Sequence, residues 1–444
     1  MKKLCAIISL MFLLAAALPA FSADILGAEA KMKTAEYWIS RVQNPDTVIM
    51  TPEEIQEFNA KILVTPSTYC KNLTEYYPET LTAERVLKSI SVEKKLMPKN
   101  YVNGKPVTKA FLNGITEECN LDAVQDEMPV RYAFAARNSM MKIVPTSKSS
   151  HKSPNDKLFD RYTESFIKIW EPLAVLHTSR SGKWCYVVSS NSDGWVHTQN
   201  LAFVDKETMQ KYLDMPFIIV TGSKIYPRSG LTGERYEFQL GTRFPIAEDQ
   251  DAEQNGVGSL SSYSVLLPGR DANGNFCEKK LLIPCSMDVH EGFVPYTQRN
   301  LLKHLFKFLG EPYGWGGSFG QWDCSAMIHD VYSLFGFALP RNSGAQARIP
   351  GLSTDTRQMS DEEKRRLFAT LPAGTILQMN GHVMLYLGTV NGKPYIFHET
   401  YSTFGHSGAL KEIIINCAVV SDMDLRRSNG QKIISCIRRS VAVQ

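Results

Sequence analysis

The chain has no apolar run long enough to cross a bilayer as a helix, the stretch at residues 4–18 included, so no membrane-spanning helix is expected. It has no block of like charge either: 49 Lys and Arg stand against 45 Asp and Glu, leaving +4 over 444 residues. That balance gives no footprint for a nucleic acid. The densest basic spots, Arg426-Arg427 and Arg438-Arg439, read as a solvated sheet face. No Cys-x-x-Cys spacing and no paired His/Cys run occurs, so structural zinc is not expected.

What is present starts with an export leader. Lys2 and Lys3 precede the apolar Leu4–Leu18 stretch, and Ala20-Phe21-Ser22 places small residues where a signal peptidase cuts. The mature protein is therefore expected to be exported, to the periplasm or cell envelope, and to be a monomer. Cys70, Cys119, Cys185, Cys277, Cys285, Cys324, Cys417 and Cys436 remain after residue 22. Export permits disulfides, with Cys277–Cys285 and Cys70–Cys119 as the pairings to consider, but spacing alone selects none.

The length allows several domains. Residues 23–135 are rich in helix formers, with helical segments expected at 29–43, 52–62, 82–96 and 120–127. From 136 the pattern changes to short β-rich runs broken by Gly, Asn, Asp and Ser, such as Trp184-Cys185-Tyr186-Val187-Val188 and Gly194-Trp195-Val196. Such spacing suits a small barrel over 136–207. A second set of runs, including Phe217-Ile218-Ile219-Val220 and Ser262–Leu267, suits another over 208–290.

The densest signal lies in 291–444. Glu311–Ser325 is a glycine- and aromatic-rich loop ending Trp322-Asp323-Cys324-Ser325, and an apolar pattern at three- and four-residue spacing follows at once. Cys324 is thus expected at a helix N-terminus, where unpaired N–H groups and the dipole favour a thiolate. Further on, Gly381-His382-Val383 opens a strand, and after the turn Asn391-Gly392-Lys393-Pro394 the strand Tyr395-Ile396-Phe397 ends at His398. A cysteine facing two histidines on one hairpin is a nucleophile, base and orienter.

These segments, PYGWGGSFGQWDCSAMIHDVYSLFGFALPRNSGAQ, GHVMLYLG and YIFHE, resemble the NlpC/P60 cysteine peptidases of the papain-like superfamily. The runs at Val175–Thr178, Lys183–Val187 and Gly194–Val196 resemble bacterial SH3 domains, and the later set resembles a diverged second one. The implied architecture is multidomain α+β: a helical module, two SH3-like barrels and a papain-like NlpC/P60 domain. The resemblance implies Cys324 as nucleophile, His382 as base, His398 as the orienting third member, and Tyr313 with the Cys324 N–H at the oxyanion. It implies Asp323 and Ser325 at the substrate. Helix capping is the alternative for both, and a tie to the backbone is the alternative for Tyr313. Arg341 serves either an acidic substrate or a local carboxylate.

The implied activity is hydrolysis of peptidoglycan stem peptides at the γ-D-glutamyl-L-diamino acid bond, with no metal or other cofactor. An amidase or acyl transferase on another substrate, and an inactive wall-binding protein, are the alternatives. The linkage Val289–Thr297 is short, with one Pro and one Gly, so the barrels are expected to pack on the catalytic domain and favour stems with a free N-terminal L-alanine.

Overall fold

The computed structural model describes residues 24–231, 233–248, 258–407 and 411–444. The leader read at residues 1–22 lies outside them.

The N-terminal helices form where caps and apolar spacing coincide. Helix α1, Ala35–Ile39, starts at Thr34. Helix α2, Pro52–Val64, starts at a capping box of Thr51 with Glu54 and carries Pro at its first turn. The segment expected as one helix over 82–96 is α3, Ala83–Ile90, broken by Ser91 in a left-handed conformation before a short turn of helix. Helix α4, Lys109–Glu118, was not foreseen. The helix expected at 120–127 is a single 3-10 turn at Leu121–Ala123 followed by the strand Glu127–Pro129, because Asn120 in the left-handed region breaks the chain direction.

These helices do not share a core. Met32, Trp38, Ile55, Phe58 and Ile62 are buried with Leu301, Met327, Ile328 and Phe397 of the C-terminal region, whereas Leu73, Val86, Ile90 and Ile115 are buried with the β structure that follows. The segment before residue 130 therefore pads two other bodies.

The first β body is a seven-stranded antiparallel sheet built from β1 (Arg131–Ala135), β2 (Ser139–Lys142), β3 (Thr163–Ile167), β4 (Pro172–Thr178), β5 (Trp184–Val188), β6 (Asp193–His197) and β7 (Leu201–Val204). Their order is β7-β1-β4-β5-β6-β2-β3. The sheet takes in Arg131–Ala135, upstream of the boundary at 135, because β1 pairs with both β4 and β7. Alternate residues go to two cores: Ala133, Val175, Cys185 and Val187 inside the curl, Phe134, Leu176, Tyr186 and Trp195 outside. The next body joins β8 (Phe217–Val220), β9 (Arg243–Pro245), the long hairpin β10 (Ser262–Arg270) and β11 (Phe276–Pro284), and β12 (Val289–Glu291), which pairs back onto β8. The linkage into the last body is thus anchored rather than free, and Ile49 donates its N–H to Tyr296 O within it at 2.8 Å.

The last body packs α5 (Gln298–Leu305) and α6 (Cys324–Ser333) on a six-stranded sheet. Its strands are β13 (Leu352–Asp355), β14 (Ile376–Met379), β15 (His382–Val390), β16 (Lys393–Thr403), β17 (Ile413–Asp422) and β18 (Arg439–Ala442), in the order β13-β18-β14-β15-β16-β17. Strand β16 runs past His398 to Thr403, because β17 pairs with it from Tyr395 to Thr403. All the cysteines named above are free. Cys277 lies in β11 and Cys285 follows its end, so extended chain separates them by roughly 26 Å. Cys70 sits against Ala338 O, and Cys119 is buried in the barrel-side core.

Candidate active site

Cys324 is the first residue of α6, and Asp323 caps the helix. The Asp323 carboxylate accepts from the N–H groups of Ser325 (3.1 Å), Ala326 (2.9 Å) and Gly316 (3.1 Å), and from both Arg341 terminal nitrogens at 2.9 and 2.7 Å. Ser325 Oγ donates to Asp323 at 3.0 Å and accepts from Arg341 at 3.0 Å. Asp323, Ser325 and Arg341 are thus brought together, but they satisfy one another: the local carboxylate takes Arg341, and capping takes Asp323. Burial would raise the Asp323 carboxyl, yet the Arg341 charge and these hydrogen bonds outweigh it and hold the group below its usual range.

The thiol does not behave as the helix N-terminus alone would suggest. Burial, and then the Asp323 charge, push Cys324 up to about 12, against the opposing pull of the Val383 N–H, Arg341 and the Ser325 N–H. Cys324 rests as a neutral thiol, because desolvation and an adjacent carboxylate exceed what the dipole gives. The influence of the Val383 N–H places the sulfur beside the start of β15, next to His382 in sequence.

His382 and His398 come from adjacent strands of one sheet. His382 Nε2 lies 3.0 Å from His398 Nδ1, and His398 Nε2 lies 3.1 Å from Ser421 Oγ on β17. Burial brings His382 down to about 4, with Arg427 lowering it further and Asp323 opposing. His398 is held well below the ordinary range by burial and then by His382. Both rings are neutral at pH 7. His382 Nδ1 has no hydrogen bond among the described residues and is the nitrogen free to serve as base.

Tyr313 is half-buried in the loop before α6, and its hydroxyl has no hydrogen bond among the described residues, so the backbone tie is not what is seen. Burial and then the neighbouring Cys324 raise its phenol, keeping it a donor. His329, one turn beyond Cys324 on α6, bonds Asn191 and Asp330 at 3.0 and 2.9 Å.

Residues the sequence did not single out complete the groove. Phe159, from the barrel loop before β3, packs on Tyr401 (4.9 Å between ring centres), Trp315 (5.8 Å) and Tyr313 (6.3 Å). Arg161 lies over Trp315 at 4.3 Å. Ser165 accepts from Arg341 Nε at 3.1 Å. Glu164, on β3, is raised by burial and then Asp193, with Arg341 and Lys95 opposing, so it sits within the field of the same cluster. The glycine loop permits this approach: Gly316 and Gly317 have φ of 61° and 87°, and a Cβ on Gly317 would collide with Phe166. Glu399, beside His398 in β16, is fully buried with both oxygens unpartnered among the described residues, and is pushed up to about 9 by burial and then by Glu311 and Asp323. No signal in the sequence marks Phe159, Arg161, Glu164, Ser165 or Glu399; the place of the first four follows from the docking of the barrel, and that of Glu399 from the pairing of β16.

Residues 310–411 match the NlpC/P60 family, and residues 145–197 match an SH3 domain of the SH3b1 type. A γ-D-glutamyl-L-lysine dipeptidyl-peptidase of Bacillus cereus (strain ATCC 10987 / NRS 248) is 26% identical over 211 residues, which cover 45% of this chain and 54% of that protein. The chain thus spans about half the length of that curated relative. A solved NlpC/P60 endopeptidase from Photobacterium damselae subsp. piscicida superposes with a TM-score of 0.71 at 17% identity, covering 91% of this chain and 96% of that one. An NlpC/P60 protein structure from Bacillus cereus ATCC 10987 gives 0.48 at 17% identity, over 70% and 99%. The family match over the Cys324 and His382 segments and the shared fold lead to one assignment: this chain carries an NlpC/P60 domain at residues 310–411, preceded by an SH3b-type domain at 145–197.

Proposed function

We propose that the protein hydrolyses peptidoglycan stem peptides between γ-D-glutamate and the following L-diamino acid, acting outside the cytoplasm after removal of residues 1–22. The observation that carries this reading is the His398–His382 pair at the mouth of α6, with His382 Nδ1 left unbonded beside the Cys324 strand contact.

As the sulfur attacks the γ-carbonyl carbon, the S–C bond forms and the thiol proton passes to His382 Nδ1. The carbonyl electron pair moves onto oxygen, which the Cys324 N–H and the Tyr313 hydroxyl receive. Collapse breaks the C–N bond, and the imidazolium gives its proton to the leaving amine. Water, deprotonated by His382, then cleaves the thioester and restores the thiol.

The free N-terminus of the stem is the second element of the reading. Phe159 and Arg161 close the groove from the barrel side, and Glu164 lies there with its carboxyl raised by burial. An arriving ammonium favours the ionised carboxylate, whereas a lactyl amide offers neither charge nor room. Mass spectrometry of digested muropeptides tests the proposal. A new γ-D-glutamate C-terminus supports it; cleavage at a sugar amide, acyl transfer or no change would count against it.

A further inference from the structure

Beside α6, three bodies meet around a cavity of about 380 Å³. Phe166 and Trp170 reach it from the first β body, Phe217 and Phe293 from the second, and Phe337 from the catalytic body. Cys324, His382 and His398 do not line it.

Most charged groups on its walls are already engaged. Lys168 Nζ binds Asp330 Oδ1 and Leu240 O, each at 2.7 Å. His329 is held between Asp330 and Asn191, and Arg341 belongs to Asp323. Glu171 accepts the Lys168 N–H at 3.2 Å. Arg243 differs. It has no hydrogen bond and no carboxylate partner among the described residues, and its guanidinium lies over Phe217 at 5.3 Å and Phe293 at 5.8 Å. The side chain is reachable by solvent, yet the surrounding protein lowers its pKa by burial.

A guanidinium flanked by two rings keeps its planar fork of donors in a fixed orientation, and that fork matches a carboxylate. The remaining walls are largely apolar, which is the usual make-up of a small-molecule site. We propose that this cavity binds a small molecule that pairs a carboxylate, held by Arg243, with an aromatic or aliphatic body seated against Phe166, Trp170 and Phe217. Its occupant would rest on the flank of the helix that begins at Cys324.

The test uses N-acetyl-phenylalanine and its uncharged primary amide, titrated calorimetrically into the full-length protein with Cys324 capped by iodoacetamide so that the groove is blocked. The acid is expected to bind at least about tenfold more tightly than the amide. Arg243→Met, with its melting temperature checked, should remove that preference. Arg243→Lys, which keeps the charge without the fork, should weaken acid binding several-fold and decides the matter if the Met variant does not fold. Equal binding of acid and amide, a preference unchanged in the variants, or no binding of either at millimolar concentration would overturn the proposal.

Discussion

His382 Nε2 and His398 Nδ1 are 3.0 Å apart, and the far nitrogen of His398 meets Ser421 Oγ at 3.1 Å. One order of protons makes His382 a base at Nδ1: His382 Nε2–H donates to His398 Nδ1, and His398 Nε2–H donates to the Ser421 hydroxyl. The opposite order would place a proton on His382 Nδ1 and disable it. Cys324→Ala and His382→Ala should each lower kcat by on the order of 10⁴-fold or more, since they remove the proposed nucleophile and base. His398→Ala should cost less. Ser421→Ala should lower kcat by about tenfold with KM unchanged, and Ser421→Thr should restore most of the loss, because only the hydroxyl fixes the tautomer. An unaltered kcat in Ser421→Ala would remove Ser421 from the relay.

The state of the thiol gives a second measurable consequence. With Cys324 up near 12 and His382 down near 4, the resting pair is thiol and imidazole, not thiolate and imidazolium. Iodoacetamide should inactivate the free enzyme, with a rate that climbs about tenfold per pH unit between about pH 6 and 9, as the thiolate fraction does. A preformed ion pair would instead give a plateau across that range. The acid limb of kcat/KM should lie near pH 4, where His382 gains its proton, rather than near the ordinary histidine value.

Glu399 predicts a stability effect with a definite sign. Its folded-state carboxyl stays protonated up to about 9, whereas in the unfolded chain it ionises above its ordinary value of 4.5. Between those values the folded state binds more protons, so its contribution to stability falls as pH rises. Glu399→Gln keeps the shape and removes the ionisation. It should raise the melting temperature relative to wild type at pH 8 by more than at pH 5. The same difference at both values would show that Glu399 ionises normally.

The candidate site was legible as a cluster because its parts lie in short contiguous motifs. Asp323-Cys324-Ser325 ends a glycine loop and starts an apolar helix, and Gly381-His382 opens a hairpin whose returning strand carries His398. The partners of these motifs were less legible. Nothing local pairs Arg341 with Asp323 rather than with a substrate, and Ser421 joins the relay only through the register of β16 with β17. Helix α4 was hidden by Gly114 at its centre, a residue that disfavours a helix interior. The helix-rich N-terminal composition gave no hint that Trp38 would bury itself against Tyr395 and the rest against the barrel, since composition reports the type of element and not the core it joins.

The contact of Phe159 with Tyr401, at 4.9 Å, makes the barrel part of the groove and gives the last prediction. Stems with a free N-terminal L-alanine should be cleaved much faster than the same stems attached to muramic acid. Two different features would cause this, and they separate by mutation. Glu164 supplies charge, so Glu164→Gln should raise KM for the free stem while leaving the sugar-linked stem as poor as before. Losing one buried charged hydrogen bond corresponds to about 10- to 100-fold. Phe159 supplies the wall, so Phe159→Ala should leave the free stem little affected and speed cleavage of the sugar-linked one. Gly317→Ala acts on the same wall from the other side: its methyl group would strike Phe166, and its φ of 87° disfavours any side chain, so the barrel must shift. That variant should move in the direction of Phe159→Ala, with some loss of stability. Side-by-side rates on the two stems decide the case. If wild type cleaves both equally, the barrel leaves the groove open and Glu164 has no ammonium to meet.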